Sequence, residues 1–131
     1  GAASALPAGA TINPSSGIFS WRPLVSQANT TSLIQIEVTD NGQPNLSATN
    51  SFNVVVNPIT APVVSSVTPN SSELDLVVNG PSGPDYTLLS STDLVNWQSM
   101  LTISSPTPPV TLSDTNYPDG PVRFYRVAIG P

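Results

Sequence analysis

The chain has 131 residues, only 8% of them charged, with eight carboxylates against three arginines, no lysine, histidine or cysteine, and a net charge of −5. These counts exclude disulfides, thiolate metal sites and haem attachment, and they leave no basic patch for a nucleic-acid backbone or an anionic membrane surface. They also remove the usual catalytic bases and nucleophiles, so any catalysis would fall to carboxylates alone.

With 38% hydrophobic residues the chain can bury a core, while 15 prolines and 8 glycines cut it into short apolar runs. Short runs rich in Val, Ile, Leu, Thr and aromatics between turn residues predict an all-β protein. No apolar run approaches the ~20 residues of a membrane helix, so no membrane insertion is expected. Residues 1–10 are small and apolar but lack a basic n-region.

Ala10–Asn13 and Gly17–Trp21 read as a hairpin around Pro14-Ser15-Ser16-Gly17. In Leu33–Asp40, Ile34, Ile36 and Val38 alternate with Gln35, Glu37 and Thr39. Asn41-Gly42 is a strong turn signal. Phe52, Val54 and Val56 then alternate with Ser51 and Asn53 in a strand spanning 47–57. Each strand has one apolar and one polar face, as in an antiparallel sandwich. Asn57-Pro58-Ile59-Thr60-Ala61-Pro62 marks a boundary, because two prolines in five residues end one strand and stiffen the approach to the next. Residues 1–58 and 59–131 are therefore expected to be separate units.

In the second segment the expected strands are Val63–Thr68, Glu73–Asn79, Asp85–Ser90, Trp97–Ile103, Val110–Ser113 and Val122–Ile129. Leu74, Leu76 and Val78 share one face, with Glu73 and Asp75 on the other. Gly80-Pro81-Ser82-Gly83-Pro84 is a tight connection. The last strand offers two apolar faces, and that of Tyr125, Val127 and Ile129 carries more bulk. The expected core is Leu76, Leu88, Trp97, Leu112 and this face. The fold class is thus all-β, with two Ig-like or fibronectin-like antiparallel sandwich units.

The run TINPSSGIFSWRPL followed by LIQIEVTDNGQPNLSATNSFNVVVNP resembles the second half of a dystroglycan-type cadherin-like Ig domain. Such domains place a hairpin, a strand, a long V-x-V-x-A-x-D strand, a G-x-P-x-L-S turn and a V-x-V-x-V strand in this order. The resemblance implies that about two further strands belong before Gly1, so the first unit is expected to be incomplete. Another chain or an upstream segment is then expected to complete it. Residues 84–130 resemble the C-terminal Ig-like modules that end secreted proteins of Verrucomicrobia-type bacteria. The matching residues are Tyr86-Thr87-Leu88, Ser91, Asp93-Leu94, Trp97, Asp114 and Arg123-Phe124-Tyr125-Arg126.

Calcium is the metal that the cadherin resemblance raises. The positions matching the family's acidic motifs are Leu24-Val25-Ser26-Gln27 and Val56-Asn57-Pro58-Ile59-Thr60, and neither holds an acid. Calcium wants several hard oxygen ligands, so the site between repeats is expected to be lost. Asp40 in Asp40-Asn41-Gly42 reads as turn chemistry. Asp114, Asn116 and Asp119 are the remaining candidates for a weak calcium site, against a solvated turn. No other cofactor is implied.

Trp21, Trp97 and Tyr117 are the candidate platforms for sugar stacking. Trp97 is set against a structural reading, as a core plug whose loss would cost about 3–5 kcal/mol. Tyr117, between Asn116 and Pro118, is the ring most expected to be exposed. Glu73 and Asp75 share a strand face, but outward carboxylates there solvate the sheet rather than flank a cleft. The sequence thus points to a non-catalytic extracellular or cell-surface module that spaces, assembles or adheres. The competing reading is a carbohydrate-binding accessory module whose partner is a polysaccharide.

Overall fold

A computed structural model describes residues 5–117 and 122–131. Its contacts divide the chain into two compact units, Gly1–Pro58 and Ile59–Pro131. No helix among the described residues is long and apolar enough to cross a membrane.

The first unit holds two ribbons. β1 (Ala10–Ile12) pairs antiparallel with β2 (Phe19–Trp21), and β3 (Thr30–Thr39) with β4 (Ser47–Val56). Asn13 shapes the first turn, its Oδ1 accepting from the N–H groups of Ser15 and Ser16. Gly17 closes that turn at φ +71°, a conformation costly to residues with a Cβ. A short 3-10 turn, Val25–Gln27, precedes β3. The Asn41-Gly42 signal marks the β3–β4 connection but not a two-residue turn. The loop runs from Asp40 to Leu46, and Asp40 Oδ1 accepts from the N–H groups of Gly42 and Leu46, both at 2.9 Å. The turn reading of Asp40 therefore holds by a different route, an aspartate carboxylate closing a longer loop.

Ile34 pairs with Phe52 in register, and Phe52 meets Phe19 edge-to-face at 5.8 Å. This contact joins the ribbons. Ile34 is the one buried apolar side chain described in this unit.

The second unit is a sandwich of two three-stranded antiparallel sheets. One has the order β5-β6-β9, from Val63–Pro69, Leu74–Asn79 and Val110–Asp114. The other has the order β10-β7-β8, from Phe124–Gly130, Asp85–Ser91 and Gln98–Ile103. Leu74, Leu76, Val78, Tyr86, Leu88 and Leu112 form its core. The alternation of β6 works as expected, with Leu74, Leu76 and Val78 inward. On β10 the inward face is that of Tyr125, Val127 and Ile129, because Val127 pairs with Leu88 and Ile129 with Tyr86. Residues opposite one another in an antiparallel pair share a face.

Two expectations are corrected here. Trp97 is not in the core but half-buried on the outer face of its sheet. The register explains this: Arg126 pairs with Leu89, outward next to inward Leu88, and the Arg126 guanidinium lies 4.5 Å from the centre of the Trp97 ring. Tyr117 is not an exposed ring but packs against the core cluster. The apolar body of tyrosine gains more from the open end of the small core than from water.

Candidate functional site

The chemistry-bearing residues of the second unit gather where β9 ends and β10 begins. β9 alternates Val110, Leu112, Asp114 inward, so Asp114 pairs with Leu74 and is carried into the interior. It is 1% exposed. A carboxylate there must be paired and hydrogen-bonded to remain. The Arg123 guanidinium donates to its Oδ2 at 2.6 Å, the Tyr125 hydroxyl to the same oxygen at 2.8 Å, and the Asn116 N–H to Oδ1 at 2.9 Å. Burial pushes the Asp114 carboxyl up, but these three donors outweigh it and hold it below its ordinary value. The same ion pair raises Arg123. Burial first, then the carboxylate beside it, raises the Tyr125 hydroxyl.

The arrangement is a neutralised cluster and not a reactive one. Asp114 is too well stabilised as an anion to act as a general acid near neutrality. Its charge is already balanced by Arg123, which leaves it a poor calcium ligand. Asn116 contributes its backbone N–H to the cluster, and Asp119 lies outside the described residues. Among the described residues no group of three acidic side chains could hold a metal ion.

The β7–β8 loop is organised by a second carboxylate. Asp93 Oδ1 accepts from the N–H groups of Val95 and Asn96, and its Oδ2 from the Asn96 side chain at 2.7 Å. The Ser91 hydroxyl donates to Asp93 and accepts from the Leu94 N–H at 2.9 Å. Backbone and side-chain bonds from Asn96, with those of Val95 and Ser91, hold the Asp93 carboxyl far below its ordinary range. The Trp97 indole N–H donates to Leu94 O at 3.3 Å. The loop is thus fixed before Trp97 is delivered to Arg126.

A cavity of about 530 Å³ opens between these two loops. Ser, Thr, Asn and Gln line it almost throughout, with Met100, Asp114 and Arg123 the exceptions, and Trp97 does not line it. It can hydrogen-bond a polar solute but offers no ring to stack on one.

The three sequence-derived platforms are not brought together. Trp21 belongs to the first unit, where its indole N–H donates to Ala8 O at 3.1 Å, beside a bond from Gln27 to the same carbonyl. Trp97 lies on an outer sheet face and Tyr117 against the core. Sequence reasoning missed the Asp114–Arg123–Tyr125 cluster and the Trp97–Arg126 stack. The first had a signal: continuing the alternation of Val110 and Leu112 by two residues turns Asp114 inward, where it demands partners. The second had none, because Trp97 and Arg126 meet across the intervening strand β7.

No curated protein and no solved structure matches the chain significantly. Residues 2–57 match the family described as "Putative Ig domain", a similarity that falls on the first unit.

Proposed function

We propose that the chain is a non-catalytic extracellular module that spaces or assembles the parts of a larger secreted or surface protein, and that its first unit is completed by strands supplied by another segment or chain. The observation that carries this reading is the open state of that unit. Its described strands form two separate two-stranded ribbons. Two-stranded ribbons are marginal in water without further cover. On the inner face of β3–β4, in line with buried Ile34, Val38 is 68% exposed and Phe52 40%. On the opposite face, Leu33 and Val55 are 59% and 65% exposed. A ribbon with apolar side chains uncovered on both faces is built to be packed against something.

The cluster chemistry supports a non-catalytic role, since Asp93 and Asp114, the described carboxylates at the loop end of the second unit, are committed to donors within the fold. The carbohydrate reading is weaker, because Trp97 and Tyr117 do not share a surface and the polar cavity has no aromatic wall. Hydrogen exchange on the full chain tests the proposal. Amides of β3 and β4 should exchange much faster than those of β6 and β7, because an open ribbon unfolds locally at little cost. Equal protection in both units would overturn it. A glycan array on the same protein, expected to be blank, checks the carbohydrate reading.

A further inference from the structure

The second unit has an open side of its own, independent of the first unit. β8 and β9 come into contact along one side of the sandwich. On the other side, β5 and β10 are the edge strands of their sheets, and among the described residues nothing pairs with their outer edges. β5 pairs Val64 with Val78 and Val67 with Leu76, so both valines lie on the face of buried core residues. Yet Val64 is 39% exposed and Val67 53%. Tyr125, Val127 and Ile129 on the inner face of β10 are only half-buried. Inward apolar side chains that water still reaches on both sheets mean that the core ends one strand short on this side.

We propose that this side is a docking slot for one donated β-strand of a partner chain, added to the free edge of β10 and covering Val64 and Val67 of β5. The edge fixes the occupant's class, because unpaired backbone N–H and C=O groups are satisfied in register only by another extended backbone. β10 fixes the length at about seven residues, from Phe124 to Gly130. The slot fixes the chemistry. β5 carries no charge, and Arg126, the one charge on β10, is turned outward onto Trp97. Neither described strand offers an inward charge to neutralise a charged side chain, so the donated strand carries small or β-branched apolar residues at alternate positions and no charge among them. β10 also lacks the features that block edge pairing, having no proline, lysine, bulge or inward charge between its ends.

The test adds the uncharged peptide Ser-Val-Thr-Val-Asn-Val-Thr to the full chain and follows amide exchange and melting temperature. At ten times its Kd the peptide should slow exchange of the β10 amides about tenfold and raise the melting temperature saturably. The peptide with Asp at the three Val positions should do neither. Val67→Asp, a substitution at an exposed position, should leave the fold intact and abolish the response. Absence of a saturable effect, or an effect that survives Val67→Asp or the Asp peptide, overturns the proposal. So does concentration-dependent protection of β10 without peptide, together with dimers in light scattering, since the occupant would then be a second copy of this chain.

Discussion

The Tyr125 hydroxyl donates to Asp114 Oδ2 at 2.8 Å and so joins β10 of one sheet to β9 of the other. Arg123, two residues before Tyr125, donates to the same oxygen. The two sheets of the second unit are therefore tied at their loop end by a polar cluster and elsewhere by apolar packing. Tyr125→Phe should cost about 1–2 kcal/mol in urea unfolding, the range for losing one hydrogen bond to a charged group. Asp114→Ala should cost more, about 3 kcal/mol, because it strands Arg123 and Tyr125 together. Equal losses in the two variants would show that the cluster does not act as a unit.

Acid should weaken the second unit through the same carboxylate. The folded state holds Asp114 below its ordinary value. Its contribution is therefore complete above the unfolded value of about 4 and is lost as pH falls through the lower folded value. Asp93 is lowered as well, first by the Asn96 N–H, but it is exposed and solvent screens its share. Melting temperature recorded between pH 6 and pH 2 should fall below about pH 4 in the parent protein. Asp114→Asn should start lower than the parent, and its curve should be flatter. A slope unchanged by the substitution would place the acid sensitivity elsewhere.

The Trp97–Arg126 stack predicts a modest cost. Trp97→Ala should lose about 1–2 kcal/mol, less than the 3–5 kcal/mol of a buried aromatic, because the ring lies on an outer face. A double-mutant cycle with Arg126→Met should return a coupling of about 0.5–1 kcal/mol. A coupling near zero would mean that the guanidinium lies over the ring without holding it.

Gly80 is constrained by Tyr86. The Tyr86 hydroxyl donates to Pro81 O at 2.8 Å, which folds the β6–β7 connection back over the end of the core. A Cβ at Gly80 would overlap that hydroxyl and press on Pro62 Cα at 3.3 Å. Gly80→Ala should cost about 1–3 kcal/mol by overpacking. In a Tyr86→Phe background the cost of Gly80→Ala should shrink, since the overlapping atom is gone. Thermal melts of the four proteins measure this directly, and strict additivity would contradict the overlap.

Calcium should not stabilise the chain. Asp40 is committed to the N–H groups of Gly42 and Leu46, and Asp114 to Arg123 and Tyr125. Melting in excess EDTA should match melting in millimolar calcium. A calcium-dependent rise of several degrees would show a site that these carboxylates do not account for.

The strand pattern was legible because alternation is a local property of the chain. Ile34 and Ile36, Leu74 to Val78, and Tyr125 to Ile129 each declare one face through side chains two residues apart. The inner face of β10 could even be chosen by bulk alone, and Tyr125, Val127 and Ile129 do point inward. Turn identity was legible only in part: Asp40-Asn41-Gly42 marks a turn, but its length depends on where a carboxylate finds N–H donors. The depth of an aromatic was not legible at all. Trp97 and Tyr117 exchange the places expected of them, because depth depends on which strand lies alongside and what that strand carries. Arg126 draws Trp97 outward from across β7, and the open end of the core takes in Tyr117. The sequence by itself determined the strands, their faces and the absence of thiol and imidazole chemistry. Only the tertiary structure decided which polar groups meet and which strand edges stay open, because both depend on pairing between segments far apart in the chain.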